Sequence, residues 1–316
     1  MFHIGELADL LRVLQDPTRL RLLWCLRHGE LSVGELVQVT GLSQPRVSRH
    51  LKLLCDAGVV RRTPDQNEVY YRAAIDDDRH PLVDEVLSSL SARDPAIVRD
   101  RQRLTAILDS RQARARALLE RLGVRLLDAA DMVEVGAAID DLLARRCPRS
   151  GSGECLGDML DIGTGTGSVL RLLGKRARRT VAVDLSRDMR LIARATVLSA
   201  GLSNCTVRQG DMYDLEFPDS CFDLVTMDRV LGTADKPARA LCEAARVMHA
   251  GGHLLVIEAA TAANRGTRLA RSLTRAGLSP IDQRTAAQES VRIVLAARDA
   301  APGSGSRRPG PETAGE

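Results

Sequence analysis

The residues of the second half that could do chemistry surround a glycine-rich turn. The turn, residues 163–167, has glycine at its first, third and fifth positions, and it follows an apolar run that contains Asp161. Glycine lets the backbone turn sharply and admits a ligand close to the main chain. Asp184 ends a second apolar run, where a carboxylate can accept hydrogen bonds from two ribose hydroxyls. The pattern therefore predicts a site for a ligand that contains a nucleoside.

The glycine spacing narrows the choice of nucleoside. A dinucleotide fingerprint would require glycine where Ser168 stands, so the turn argues against NAD and favours S-adenosylmethionine. Further strands are predicted at residues 207–212, 222–228 and 253–258, with helices between them. Such alternation predicts a parallel sheet with its ligand at the carboxyl edge of the strands.

Residues 159–297 resemble the class I S-adenosylmethionine-dependent methyltransferases, because the glycine turn, the acid at 184 and the pair Gly210-Asp211 come in that family's order. The resemblance implies a Rossmann-like α/β domain that binds S-adenosylmethionine or S-adenosylhomocysteine. It implies that Gly163 and Gly165 line the methionine moiety, that Asp184 holds the ribose, and that the adenine meets residues near 185, 189, 211 and 212. The complete set of cofactor-binding candidates is Asp161, Gly163, Thr164, Gly165, Gly167, Asp184, Leu185, Met189, Asp211, Met212 and Asp228.

The side of the site that would take a methyl acceptor is less well marked. Residues 228–233 lack the histidines or aromatics that face the acceptor in many small-molecule members, and aromatic residues make up only 2% of the chain. The motifs of nucleic-acid methylases are absent, so methylation of DNA is not expected. Ser290 comes only 32 positions after Glu258, which leaves little chain for a lid. Three hypotheses stay open: a sensor, an active methyltransferase of a small molecule or protein, and a vestigial domain that only makes dimer contacts.

A second group of functional residues lies in the first eighty positions. In residues 43–54 the apolar side chains recur at helical spacing and leave a basic face outward, and two predicted strands, 59–63 and 68–73, flank a turn-forming cluster. This order predicts a winged helix-turn-helix, whose second helix enters the major groove. The alternative is an ordinary solvated helix face. The DNA-binding candidates are Ser43, Gln44, Arg46, Ser48, Arg49, His50 and Lys52 on the helix and Arg61, Arg62 and Arg72 on the wing.

Residues 16–23, 43–54 and 56–60 resemble the ArsR-type winged-helix repressors. The resemblance implies a homodimer that binds a double-stranded DNA operator and is released by an effector, often a metal ion. Ser32 and Gly34 stand where the family's best-known thiolate site has its Cys-x-Cys pair, so no metal is expected here.

The whole chain of 316 residues is predicted to divide into a DNA-binding domain (1–78), a helical connector (79–157), a methyltransferase-like domain (158–298) and a disordered tail (299–316). The formal charge is only +4, so a DNA surface must be local. Seven scattered cysteines and no apolar run of membrane-spanning length predict a soluble cytoplasmic protein. A long helix after Asp94-Pro95 carries a seven- and four-residue apolar repeat, which predicts either dimerisation or packing on its own chain.

Overall fold

The computed structural model describes residues 3–74, 81–124, 126–144, 156–260 and 266–298. The expected tail at 299–316 lies outside the described residues. The domain boundaries drawn from the sequence stay predictions.

The N-terminal unit is a winged helix-turn-helix, as predicted. It runs α1 (Ile4–Leu14), α2 (Pro17–Leu26), β1 (Leu31–Ser32), α3 (Val33–Thr40), α4 (Gln44–Asp56), β2 (Val60–Asp65) and β3 (Glu68–Ala73). Local signals fix the turn between helices: Ser32 and Glu35 form a capping box at the start of α3, and Gly41 ends it in the left-handed conformation. The three strands pair antiparallel in the order β1-β3-β2, which forms the wing.

The C-terminal unit is a seven-stranded sheet flanked by helices. Its elements are β4 (Asp158–Ile162), α8 (Ser168–Leu173), a 3₁₀ turn (Gly174–Arg176), β5 (Arg179–Asp184), α9 (Arg187–Ser199), β6 (Cys205–Gln209), β7 (Phe222–Asp228), α10 (Pro237–Val247), β8 (Met248–Ala259), α11 (Gly266–Arg275), β9 (Leu278–Ala286) and β10 (Val291–Arg298). The strand order is β6-β5-β4-β7-β8-β10-β9. This is a Rossmann-like arrangement, and the α/β fold class is confirmed.

The prediction of a parallel sheet holds for β4 to β8 and is wrong for β10, which runs opposite to both of its neighbours. Strand β10 pairs antiparallel with both β8 and β9. The short link between β9 and β10 explains the difference, because a parallel crossover needs about a dozen residues or more. Ala287, Gln288 and Glu289 in that link all have positive φ, which turns the chain back on itself.

The connector consists of α5 (Pro81–Ser88), α6 (Pro95–Leu122) and α7 (Ala129–Ala144). Asp94 caps α6 by accepting hydrogen bonds from the amides of Ala96 and Ile97. The apolar stripe of α6 packs on its own chain: its first half joins the core of the N-terminal unit, and Ala115 and Leu118 pack against α9. The structure thus favours own-chain packing of this stripe, and dimerisation stays a prediction. Among the described helices, none is both long and apolar enough to cross a bilayer.

The two units also share core residues. Two apolar clusters lie in the C-terminal unit, and a third fills the winged helix. Leu198 of α9 belongs to the third cluster, and a Cβ atom on Gly29 would lie 2.8 Å from its Cδ1 atom. The methyltransferase-like unit therefore packs directly on the winged helix.

Candidate ligand site and nucleic-acid interface

A cavity of about 570 Å³ opens at the carboxyl ends of β4, β5, β6 and β7. This is where ligands bind in open α/β sheets, because the loops after the strands diverge there. Nine of the eleven residues predicted to bind the cofactor line its wall: Gly163, Thr164, Gly165, Asp184, Leu185, Met189, Asp211, Met212 and Asp228. The structure therefore brings most of the predicted residues together around one cavity, and their contact with a ligand stays a prediction.

The two other candidates have supporting positions. Gly167 lies at the N-cap of α8 with φ 75°, and a Cβ atom there would come 3.3 Å from the Thr196 side chain. The left-handed φ and the close approach to α9 favour glycine at this position, and a contact of Gly167 with the ligand stays a prediction. Asp161 lies behind the wall, almost fully buried in β4.

The glycine turn shapes the pocket through its backbone. Gly163 has φ 66°, and a Cβ atom on it would lie 2.5 Å from Cγ2 of Val230. Gly165 has φ 52° and donates its amide hydrogen to Oδ2 of Asp184 at 2.9 Å. Residues with side chains rarely adopt such φ values, so glycine is needed at both positions.

Asp184 is held rigidly at the rim. Its Oδ2 atom accepts from Gly165, and its Oδ1 atom accepts from the Ser186 amide at 2.8 Å. A carboxylate has about four acceptor sites, so two amides leave capacity for further donors. The Asp184 carboxylate is thus oriented to accept hydrogen bonds from a pair of hydroxyl groups.

Asp161 presents an unsatisfied acceptor beneath the glycine turn. Its Oδ1 atom accepts from the Thr226 hydroxyl at 2.6 Å, whereas Oδ2 and the nearby Thr164 hydroxyl form no hydrogen bond of good geometry with each other or with another described residue. Burial, with the negative charges of Asp228 and Asp184 nearby, raises the pKa of Asp161 to about 7. A bound ammonium group would supply the missing donor, so the residues present fit the amino-acid end of S-adenosylmethionine.

The connector contributes a wall that sequence reasoning missed. Val124 and Leu126, between α6 and α7, line the pocket, and Arg121 at the end of α6 forms an ion pair of 2.6 Å with Asp188. The segment after Glu258 is short for a lid, whereas the connector covers the pocket from the opposite direction. The signal available in the sequence was the pair of apolar residues, Val124 and Leu126, just after Gly123 at the end of α6. The other missed wall residues are Thr166, Gly210, Tyr213, Arg229, Val230 and Thr233.

The outward face of α4 carries the predicted DNA-reading side chains. Val47, Leu51 and Leu54 are buried, which fixes the rotation of the helix. Six of the seven candidates on this segment are exposed: Ser43, Gln44, Arg46, Ser48, Arg49 and Lys52. His50 is half-buried, and its Nδ1 atom lies 4.0 Å from Oδ1 of Asp16. Contacts with DNA stay predictions for all of them.

The three arginines predicted to contact DNA from the wing are not all exposed. Arg62 is exposed and Arg61 half-buried, but Arg72 is only 3% exposed. Its Nη1 atom donates to the carbonyl of Ser203 in the methyltransferase-like unit at 2.6 Å. The prediction that Arg72 reaches phosphate is corrected here, because a side chain committed to that interdomain contact cannot face DNA.

The tip of the wing is anchored on α9 through Asp65, a buried residue of β2. Its carboxylate accepts from Arg190 Nη2 at 2.6 Å, from Arg190 Nε at 3.1 Å, and from Arg194 Nη1. Burial alone would raise the pKa of Asp65, but the hydrogen bonds and charges of Arg190 and Arg194 outweigh it and hold the pKa below its usual range. The tip therefore carries an ionised, fully engaged carboxylate.

Arg190 also touches the rim of the ligand pocket. It is fully buried, and its Nη1 atom donates to the carbonyls of Asp184 at 3.0 Å and Leu185 at 2.9 Å. The Arg190 guanidinium thus joins the wing tip to Asp184 and Leu185, at the end of β5 that borders the pocket. This connection between distant parts of the sequence was not predicted.

A second buried contact reinforces the anchor. Glu30, just before β1, accepts from the amide of Val207 at 3.2 Å, and Arg194 Nε lies 3.5 Å from its Oε2 atom. The Arg194 guanidinium lies over the Tyr70 ring, 3.8 Å from its centroid. Burial raises the pKa of Glu30 despite the nearby positive charges of Arg194, Arg72 and Arg111.

Among the described residues, no group of three His, Cys, Asp or Glu side chains comes together to hold a metal ion.

Comparisons with known proteins agree with both halves of this arrangement. Residues 16–62 match the family described as bacterial regulatory protein, arsR family, and residues 160–256 match a methyltransferase domain. An arsenical resistance operon repressor of Staphylococcus aureus is 33% identical over 86 residues, 27% of this chain and 78% of the repressor. The chain belongs to the arsR family of regulatory proteins and carries in addition a methyltransferase domain.

Two further relatives each cover one half. A biofilm growth-associated repressor of Xylella fastidiosa is 42% identical over 68 residues, 22% of this chain and 60% of the repressor. A phosphatidylethanolamine N-methyltransferase of Cereibacter sphaeroides is 35% identical over 102 residues, 32% of this chain and 50% of that enzyme. The chain therefore spans about half to three fifths of the length of these two proteins.

Proposed function

We propose that this chain is a transcriptional regulator that binds double-stranded operator DNA and uses its methyltransferase domain to sense S-adenosylmethionine or S-adenosylhomocysteine. The observation that carries the proposal is the double engagement of Arg190, which holds both the wing tip and the rim of the ligand pocket. A regulator needs such a physical link between the site that binds a ligand and the surface that binds its target.

The DNA-binding part of the proposal rests on α4 and its setting. The exposed side chains include two arginines and a glutamine, which suit guanine and adenine edges in the major groove. Operators read by helix-turn-helix proteins are usually two-fold, so we propose that a homodimer acts, in the cytoplasm. The relatives named as repressors support this role.

The ligand part rests on the fit of the pocket. When bound, S-adenosylmethionine supplies a methyl group activated on a sulfonium. Asp184 accepts from the ribose hydroxyls, Leu185 and Met189 pack beside the adenine, and Asp211 accepts from its amino group. Asp161, buried behind the glycine turn, supplies a carboxyl group next to the place of the ammonium end.

Coupling between ligand binding and DNA binding follows from the Arg190 guanidinium, which contacts both the pocket rim and the wing tip. A ligand held by the Asp184 carboxylate restrains the same turn whose carbonyls accept from Arg190. Arg190 in turn fixes Asp65, so ligand binding changes the range of wing positions that the protein populates. A coupling free energy of about 1–3 kcal/mol changes DNA affinity about 5- to 150-fold.

The decisive experiment measures binding to a duplex that the wild-type protein selects from a random-sequence library. Affinity is determined without ligand, with S-adenosylmethionine and with S-adenosylhomocysteine. We expect at least one nucleoside to change the affinity of the wild type, and neither to change that of Asp184→Ala. Arg190→Met should bind ligand and DNA but lose the coupling, whereas Arg187→Met, an exposed neighbour on α9, should keep it.

Equal DNA affinity in all ligand states of the wild type would overturn the sensing role and leave DNA binding standing. Calorimetric titration of both nucleosides into the protein gives the complementary result. If neither binds, the domain serves only as a contact surface and the proposal fails.

A second candidate is an active methyltransferase that modifies a small molecule or protein and regulates its own synthesis. The similarity to a phosphatidylethanolamine N-methyltransferase favours it, together with the connector residues that cover the pocket. Sustained transfer of labelled methyl groups in cell extract, lost in Asp184→Ala, would support the enzyme. Ligand-dependent DNA binding without turnover would support the sensor.

A further inference from the structure

A second cavity lies on the far side of the loop that follows β7. Its volume is about 670 Å³, within the size range of small-molecule pockets. Residues 230 and 233 of the loop line the first pocket, whereas Leu231, Gly232 and Ala234 line the second. The two cavities are therefore separated by one loop and are open to different ligands.

The floor of the second cavity is apolar. Leu231 and Leu241 are buried in one of the two apolar clusters of the C-terminal unit, and Leu269 from α11 is partly buried against the same cluster. Pro237, Ala238 and Ala259 complete the apolar wall. A hydrocarbon or ring system placed here would be removed from water, which is favourable in proportion to the apolar area covered.

The charged groups of the cavity are mostly cationic. Arg271 and Arg275 stand four residues apart on α11, so their side chains share a face, and Arg292 approaches from β10. Neither Arg271 nor Arg275 has an ion-pair partner among the described residues. Arginine at such a position suits a planar or tetrahedral anion.

Two acids also line the cavity and have to be counted. Asp235 is exposed at the edge. Glu258 is buried, and its Oε1 atom accepts from the amides of Leu231 at 2.8 Å and Gly232 at 3.3 Å. Burial raises the pKa of Glu258. Arg271 and Arg275 therefore stay available to an anion, while Glu258 is held by the loop amides.

We propose that this cavity binds a small molecule that carries an anionic headgroup, carboxylate or phosphate, on an apolar body. The arginines recognise the headgroup and the leucines cover the body. This site is separate from the nucleoside pocket and goes beyond the function proposed above. Because Glu258 ties the separating loop down through two amides, a ligand beside Glu258 also sets the position of the wall that both cavities share.

The test uses 8-anilinonaphthalene-1-sulfonate, a fluorescent anion with an apolar body, as the probe. Its binding to the full chain is followed by fluorescence in the presence of saturating S-adenosylhomocysteine. We expect octanoate or octyl phosphate to displace it and the neutral octanamide to fail. Arg271→Gln/Arg275→Gln should weaken probe binding about tenfold or more, and Ala238→Trp, which fills the cavity, should also weaken it.

The matched control is Arg99→Gln/Arg171→Gln, which removes the same charge from exposed positions outside the cavity. It should bind the probe like the wild type. Displacement by octanoate alone would assign a carboxylate headgroup, and by octyl phosphate alone a phosphate. Equal competition by octanamide, or equal probe affinity of the two double variants, would overturn the proposal. Asp184→Ala should keep probe binding while losing the nucleoside, so the two sites can fail independently.

Discussion

The recognition helix α4 and the tip of the wing carry their charges in opposite settings. On α4, Arg46, Arg49 and Lys52 are exposed. At the wing tip, Asp65 is buried against Arg190 and Arg194 of the methyltransferase domain. The cations of α4 are thus available to a partner, whereas the charges at the wing tip are already committed within the chain.

The difference assigns the two regions different roles. Removal of an exposed charge costs little stability and is felt by the partner. Removal of one member of a buried ion cluster leaves the others desolvated and unpaired, which is strongly destabilising. We therefore infer that α4 reads DNA and that the wing tip ties the winged helix to the methyltransferase domain.

The largest effect is expected at the anchor itself. Asp65→Ala leaves two buried guanidinium groups without their carboxylate and should lower the free energy of unfolding by about 3–5 kcal/mol. Denaturant unfolding measures this. Asp56→Ala at the exposed end of α4 is the matched control and should stay within about 0.5 kcal/mol of the wild type. Equal stability of both variants would show that the wing tip is not anchored.

A somewhat smaller effect on stability is expected at Asp161, behind the ligand pocket. The pKa of Asp161 is about 7 in the folded chain and about 3.9 when unfolded, so the folded state binds more protons between these values. Stability is therefore lost as the pH rises from about 4 to 7. Asp161→Asn removes this loss and should be roughly 2–4 kcal/mol more stable than the wild type at pH 8, with no advantage at pH 4.

Thermal unfolding at the two pH values measures the difference. The same substitution should weaken nucleoside binding, because a neutral amide replaces the carboxylate that meets the ligand's ammonium group. An equal change in stability at pH 4 and pH 8 would contradict the burial of an ionisable carboxyl at this position.

Sequence reasoning succeeded where the determinant was local. The glycine turn, the acid at 184 and the apolar stripe of α4 specify their own geometry within a few residues, and the structure places them as the pattern predicted. It failed for Arg72 and did not anticipate the anchoring of Asp65, because nothing near these residues in sequence reveals partners more than a hundred positions away. It also missed Val124 and Leu126, whose role depends on where the connector crosses the pocket.

The comparison between α4 and the wing can be sharpened with two arginines. Arg46→Ala or Arg49→Ala should cost about 1–3 kcal/mol in binding to the selected duplex and leave stability unchanged. Arg72→Ala should lower stability and leave DNA binding unchanged, because Arg72 donates to Ser203 in the domain interface. Binding titrations and unfolding curves on the same preparations separate the two outcomes. Loss of DNA binding in Arg72→Ala at full stability would return that residue to the DNA surface.

The smallest expected effect concerns Arg62, the exposed arginine of the wing. If it contacts a phosphate, Arg62→Ala weakens binding to all duplexes by a similar factor and reduces the slope of log affinity against log salt concentration by about one. Its stability should stay within about 0.5 kcal/mol of the wild type. An unchanged salt slope would mean that the anchored wing does not reach the duplex, so that α4 alone carries the contact with DNA.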